Sequence, residues 1–261
     1  MINDSRPVGI FDSGVGGLTV ARQIMAALPR KQLVYFGDSL RAPYGSRQPT
    51  ELTRFSREII DFLHAKDIGA LVVACGTISA TVFDAVRQMT NVPVVGMLDA
   101  AVDAALDATK SGRIGLIATA GTITSGAHKK AIVRKQPYAE LVAIACPLFV
   151  PLAEEGWLDN DVARLTAKMY LAQLAQSNID TLILGCTHYP LLVDSIKAAL
   201  PADINIIDPA VRLAKNLADI VDSSGEENPP HEFFVSGNKE KFDQMSHIAL
   251  GRSYDAKEVR L

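Results

Sequence analysis

The sequence predicts an α/β fold made of two similar parallel-sheet domains related by a pseudo-two-fold. Three observations carry this expectation. Short apolar runs alternate with helical periodicity along the chain, two of those runs recur at closely similar offsets, and one recurring pair ends on a cysteine in both copies. Val8–Phe11, Leu33–Phe36, Leu71–Ala74, Val92–Val95, Ile114–Ala118, Leu141–Ala145, Thr181–Leu184 and Ile204–Ile207 are rich in Val, Ile and Leu, as strands buried on both faces are. Between them lie amphipathic stretches. In Thr50–Lys66, Leu52, Phe55, Ile59, Phe62 and Leu63 share one face and charges occupy the other. Such alternation implies parallel sheets covered by helices, with ligands gathered at the carboxyl ends of the strands.

The internal echo sets the domain boundaries. Leu71-Val72-Val73-Ala74-Cys75 is matched by Leu182-Ile183-Leu184-Gly185-Cys186, and Val8-Gly9-Ile10-Phe11 by Ile114-Gly115-Leu116-Ile117. One domain is expected over residues 1–98 plus 207–261, on the Cys75 side. The other is expected over 99–206, on the Cys186 side. Asp222–Pro230 reads as a surface loop before a last strand and helix.

Composition narrows the function classes. The 261 residues carry 26 Lys+Arg against 29 Asp+Glu, a net charge of −3, with no basic run, which argues against nucleic acid as the main partner. With 48% hydrophobic and 21% charged residues, the chain is globular rather than disordered. The opening MINDSRPVG lacks the apolar centre of a signal peptide. The longest apolar stretch, Leu141 to Ala153, is too short to span a membrane and contains Pro147 and Pro151. Three cysteines do not make a disulfide framework, so a reducing cytoplasm is the expected location.

Four segments can carry chemistry. Asp12-Ser13-Gly14-Val15-Gly16-Gly17-Leu18 follows a strand and opens a helix, but Thr19 stands where a dinucleotide fingerprint needs its third glycine. Its glycines still permit close backbone approach, and its free N–H groups suit an anion. Asp12 is then either a helix cap or a functional carboxylate. Cys75 and Cys186 each sit where a strand passes to a loop and helix, a position at which a helix N-terminus would lower a thiol below its usual value of about 8.5. Singly, each reads as a small buried apolar residue; as a symmetric pair, they read as two sulfurs facing one ligand. Cys146, before Pro147, reads as structural. In Gly185-Cys186-Thr187-His188-Tyr189-Pro190, His188 can assist a proton at Cys186 or bond a helix start, and no ligand spacing fits zinc. Asp38-Ser39-Leu40-Arg41-Ala42-Pro43-Tyr44-Gly45 is turn-like, with Tyr44 available to a ligand.

DSGVGGL (12–18), DSLRAPYG (38–45), ACGT (74–77), CPLFVPLAEEG (146–156) and GCTHYP (185–190) together resemble the motifs of bacterial glutamate racemases, in that family's order and across nearly the whole chain. The resemblance implies a two-base racemase with its active site at the domain interface, no metal and no cofactor, pyridoxal phosphate included. Cys75 and Cys186 are then the opposed base and acid, with Asp12 and Asp38 on one side and Glu154 and His188 on the other. Ser13, Tyr44, Gly45, Gly76, Thr77, Thr119, Thr122 and Thr187 would hold glutamate, with Asp12 and His188 contributing. The resemblance also implies that D-glutamate feeds peptidoglycan synthesis, cell wall biogenesis and cell shape, with a homodimer as a common assembly and no membrane or nucleic acid required. A racemase for another acidic amino acid such as aspartate, or a non-catalytic ligand-binding relative, are the alternative readings.

One position departs from that pattern. The family reads Cys-Asn-Thr where this chain has Cys75-Gly76-Thr77. A lost hydrogen bond to a charged group costs about 1.5–3 kcal/mol, so binding is expected to weaken roughly tenfold or more. Glycine is expected to leave room for a water or a backbone N–H in place of the amide.

Overall fold

The computed structural model describes residues 5–222 and 229–261. Its strands are β1 (Val8–Asp12), β2 (Leu33–Gly37), β3 (Ala70–Val73), β4 (Val94–Gly96), β5 (Arg113–Ala118), β6 (Glu140–Ala145), β7 (Thr181–Leu184), β8 (Asn205–Ile207), β9 (Glu232–Val235) and β10 (Ala256–Glu258). They form two sheets, ordered β10-β9-β2-β1-β3-β4 and β6-β5-β7-β8, and every pairing is parallel. The order β2-β1-β3-β4 is repeated as β6-β5-β7-β8, so β1 corresponds to β5 and β3 to β7. Those are the two pairs of runs that echo each other in sequence. The α/β class and the two parallel sheets are as the sequence predicts.

The helices are α1 (Leu18–Ala27), α2 (Pro49–His64), α3 (Gly76–Thr81), α4 (Phe83–Arg87), α5 (Met97–Ala108), α6 (Ala120–Ser125), α7 (Ala127–Lys135), α8 (Phe149–Glu154), α9 (Asp161–Leu171), α10 (Val193–Ala198), α11 (Pro209–Ala218) and α12 (Lys239–Leu250). Helix α2 shows why the pattern works. Gln48 and Glu51 form a reciprocal capping box, Pro49 opens the first turn, and Leu52, Phe55, Ile59, Ile60 and Leu63 are buried. Phe62 is half-buried, stacking between Phe36 and Phe234. Helix α5 serves two cores. Met97 and Ala100 pack with β1, β3 and α11 residues, while Ala101, Val102 and Ala105 pack with Ile114 and Leu116 of β5.

The chain ends differently from the expected single strand and helix. After β9 and α12 it adds β10, whose Ala-Lys-Glu sequence has no apolar run to announce it; it pairs only with β9, at the edge of the sheet. Residues 223–228 of the expected Asp222–Pro230 loop lie outside the described residues. No helix among the described residues is long and apolar enough to cross a membrane.

Opposite the carboxyl ends, Asp180 ties down the turn from α5 to β5. It accepts bonds from Thr109 Oγ1 (2.6 Å), Lys110 N (2.7 Å) and Ser111 N (2.6 Å). Burial alone would raise its pKa, but these donors outweigh it and hold the carboxyl well below the usual range. Because the folded-state value is the lower one, the stabilisation is present above the unfolded carboxylate pKa and fades as pH falls toward the folded one. Asp180→Asn should therefore lower stability at neutral pH by about 1–2 kcal/mol, with the gap to the parent narrowing in acid. Denaturant unfolding at both pH values checks this; equal neutral-pH stability would contradict it.

Candidate active site

Parallel strands deliver their following loops to one edge of a sheet, and the two edges here face each other across a cavity of about 430 Å³. The loops after β1, β2 and β3 supply Ser13, Tyr44, Gly45, Cys75, Gly76 and Thr77 to its wall. Those after β5 and β7 supply Thr119, Cys186, Thr187 and His188, and α8 supplies Glu154. Both thiols are buried, and both line this one cavity from different sheets.

Cys75 sits at the N-cap of α3. The Ile78 N–H and the Ser13 hydroxyl donate to its sulfur, the local arrangement that the strand-to-helix position promised. Their effect is outweighed. Burial first, then the Asp12 carboxylate and the second sulfur, push the Cys75 thiol up to about 12. The expectation that a helix start would depress this pKa is thus reversed, because a single turn of helix cannot offset a dry site beside an acid.

Asp12 is itself fully buried at the end of β1. Its Oδ2 accepts from Gly14 N (3.2 Å) and Gly17 N (3.0 Å), so it holds the glycine loop as a cap would. Oδ1 has no hydrogen-bond partner among the described residues. Burial raises its pKa against the opposing pull of His188 and the loop N–H groups. Asp38 lies behind Tyr44. The Tyr44 hydroxyl and Arg41 Nε (2.6 Å) both donate to its Oδ2, and Arg41 in turn pairs with Glu58 and lies over the Phe55 ring. This fixes the Tyr44 ring in the cavity wall.

The Cys186 side is organised differently. After Gly185 the chain turns through Thr187 and His188 into a short 3₁₀ turn, Tyr189–Leu192, so no α-helix N-terminus addresses this sulfur. His188 does so instead. Its Nδ1 lies 3.7 Å from Cys186 Sγ and its Nε2 lies 3.1 Å from Glu154 Oε1. Burial would lower the imidazole's pKa, but the sulfur and the Glu154 carboxylate raise it to about 10. Glu154 is correspondingly held below its usual value, with Lys241 assisting His188 against desolvation.

The sequence-predicted residues fall into two layers. Ser13, Tyr44, Gly45, Cys75, Gly76, Thr77, Thr119, Glu154, Cys186, Thr187 and His188 line the cavity, whereas Asp12, Asp38 and Thr122 are absent from its lining. Thr122 Oγ1 is 3.0 Å from Thr119 Oγ1, which is 2.9 Å from Thr77 Oγ1, so the three hydroxyls form a chain across the two halves. Cys146 is buried behind the wall, pushed up to about 12 by burial, and its carbonyl accepts from the Tyr189 hydroxyl (2.8 Å). Sequence reasoning missed Pro147, Val150 and Pro151, which give the cavity an apolar side. The signal was the proline-broken apolar run, read only for its length.

Gly76 requires a correction. The space a Cβ would fill there is not open to water or a backbone N–H: a methyl would overlap the carbonyl oxygen of Gly185, with that residue's carbonyl carbon 3.3 Å away and Cys186 Cα 3.8 Å away. The two thiol-bearing loops touch backbone to backbone.

Comparison with known proteins identifies the family. Residues 17–217 match the Asp/Glu/Hydantoin racemase family. A glutamate racemase of Geobacter metallireducens is 47% identical over 252 residues, covering 94% of this chain and 93% of that protein. The crystal structure of a glutamate racemase isoform from Bacillus anthracis superposes with a TM-score of 0.94 at 37% identity, covering 98% of both chains. That of a Francisella tularensis glutamate racemase, in complex with D-glutamate, gives 0.90 at 34% identity over 98% of this chain and 97% of that one. Two apposed parallel sheets, paired thiols and these similarities lead to one conclusion: the chain belongs to the Asp/Glu/Hydantoin racemase family.

Proposed function

We propose that this chain interconverts L- and D-glutamate by a cofactor-independent two-base reaction, with Cys75 and Cys186 on opposite faces of the α-carbon. The observation that carries this reading is the single cavity lined by both sulfurs, one from each sheet. Inverting a stereocentre needs a base on one face and an acid on the other. One thiolate removes the α-proton, the electron pair stays on the α-carbon, and the opposite thiol delivers its own proton. The other enantiomer uses the same groups in reverse.

The two sides are electrostatically unequal, and this supports assigned starting roles. Cys75, held at about 12, begins as the proton donor. His188, held at about 10 by the sulfur and Glu154, supplies the counter-charge that a thiolate at Cys186 needs. The substrate ammonium, once bound, offsets the acidic surroundings of Cys75 and lets it take the base role for the other enantiomer. Asp12 and Asp38 act from behind the wall, one holding the Ser13 loop and the other Tyr44. General acid–base transfer supplies about 10²–10⁴-fold of rate, so the remainder comes from excluding water as residues 1–98 with 207–261 close against 99–206. The product, D-glutamate, then enters peptidoglycan synthesis in the cytoplasm.

Incubation with L-glutamate in D₂O should give D-glutamate carrying α-deuterium. Cys75→Ser and Cys186→Ser should each lower net inversion by roughly 10²–10⁴-fold or more, with either retaining exchange of one enantiomer. An unchanged inversion rate in either variant would contradict the two-base reading, as would a parent that binds glutamate without exchange.

The His188 imidazole should be protonated at neutral pH and titrate only near 10, followed by its ¹⁵N resonances. Glu154→Gln should lower that value. A neutral ring at neutral pH in the parent would overturn the assignment of counter-charge.

A further inference from the structure

The cavity is bounded by a seam along which the two halves meet through short side chains and bare backbone. Thr77 and Thr119 bond across it, Thr19 Oγ1 donates to the Thr187 carbonyl (2.8 Å), and Gly76 lies directly on the Gly185 carbonyl. The last contact stands beside both thiols, since Gly76 follows Cys75 and Gly185 precedes Cys186.

Neither partner in that contact can retreat. Gly185 N donates to the Ile117 carbonyl at 2.7 Å, and a methyl on Gly185 itself would meet Leu116 Cδ1 at 2.8 Å and Ala118 Cβ at 2.9 Å. The loop before Cys186 is thus pinned to β5. On the other side, Gly76 is the first residue of α3, and the Cys75 carbonyl already accepts from Ser79 N (3.0 Å). Any atom added at position 76 therefore acts as a wedge, and the displacement falls on the loop that carries Cys75.

We infer that Gly76 is a positioning residue: its lack of a side chain sets the separation of the two sulfurs through direct contact with the Gly185 carbonyl. This rests on the two-base reading and adds a steric requirement that the pair of thiols alone does not imply. A missing amide would make position 76 a site of weakened binding, repaired by restoring a polar side chain. A seam contact makes it a site where any side chain impairs proton transfer. A misplacement of about 1 Å costs on the order of 10²-fold in rate, and the overlap at Gly76 demands a shift of that order.

The test compares Gly76→Ala and Gly76→Asn with the parent, measuring kcat and KM in both directions and α-deuterium exchange in D₂O. Parent racemisation is established first, so failure of the racemase reading is seen separately. For both variants kcat should fall by roughly 10–100-fold with KM changed less, and exchange without inversion should rise relative to inversion, because one thiol still reaches the substrate. A merely structural defect would lower both processes together. Parent-like kcat in Gly76→Ala, or a lowered KM with kcat intact in Gly76→Asn, would overturn the inference. Should these variants not fold, Gly121→Ala provides a second reading, because its methyl would meet the Gly45 carbonyl at 2.8 Å on the Tyr44 side of the seam, away from the thiols. There KM should rise several-fold with kcat less altered; parent-like values of both would overturn the seam account.

Discussion

A parallel strand can present its following loop at only one edge of its sheet, and in this chain two such edges are turned toward each other. Everything at the cavity follows from that apposition. Cys75 and Cys186 lie 111 residues apart in sequence, yet they line one cavity because β3 and β7 occupy the same place in two sheets of the same order. The β2-β1-β3-β4 order and its repeat place the glycine loop opposite Thr187 and His188, and Gly45 opposite Thr119. Helix α5, with residues in a core of each sheet, then ties the two together.

Symmetry of backbone does not extend to electrostatics. The Cys75 sulfur is surrounded by burial and a carboxylate, with one hydroxyl and one N–H to offset them. The Cys186 sulfur faces an imidazole whose pKa is raised by that sulfur and by Glu154, against burial. For a reaction that runs in either direction between enantiomers, the proposed mechanism needs the bound ammonium to even out this difference. The two positions are similar in topology and dissimilar in surroundings: a carboxylate stands beside Cys75 and an imidazole beside Cys186.

The parts of the fold written as long, unmixed apolar runs were legible in the sequence. All eight foreseen runs became strands within a residue or two: β1, β2, β3, β7 and all but the first residue of β5 are buried and tolerate little but apolar side chains, while β4, β6 and β8 are only partly covered yet keep the same β-branched and apolar content. β10 was not legible, because an edge strand reading Ala-Lys-Glu has no apolar run. At the site, residue identity was readable but depth was not. Nothing in the sequence shows that Asp12 Oδ2 accepts from Gly14 N and Gly17 N, or that Thr122 stands behind Thr119. The sign of the Cys75 shift was misread for the same reason, since burial and the distance to Asp12 belong to the tertiary structure. Gly76 is the clearest case, because a contact with a carbonyl from the other half cannot be seen from the loop itself.

The claim on which the account stands is that the two sulfurs address opposite faces of one carbon. A crystal structure with D-glutamate bound measures this directly. The account predicts the α-carbon lying between Cys75 Sγ and Cys186 Sγ, each on the order of 3–4 Å away and on opposite faces. Both sulfurs on the same face, or one of them out of reach of the α-carbon, would contradict it.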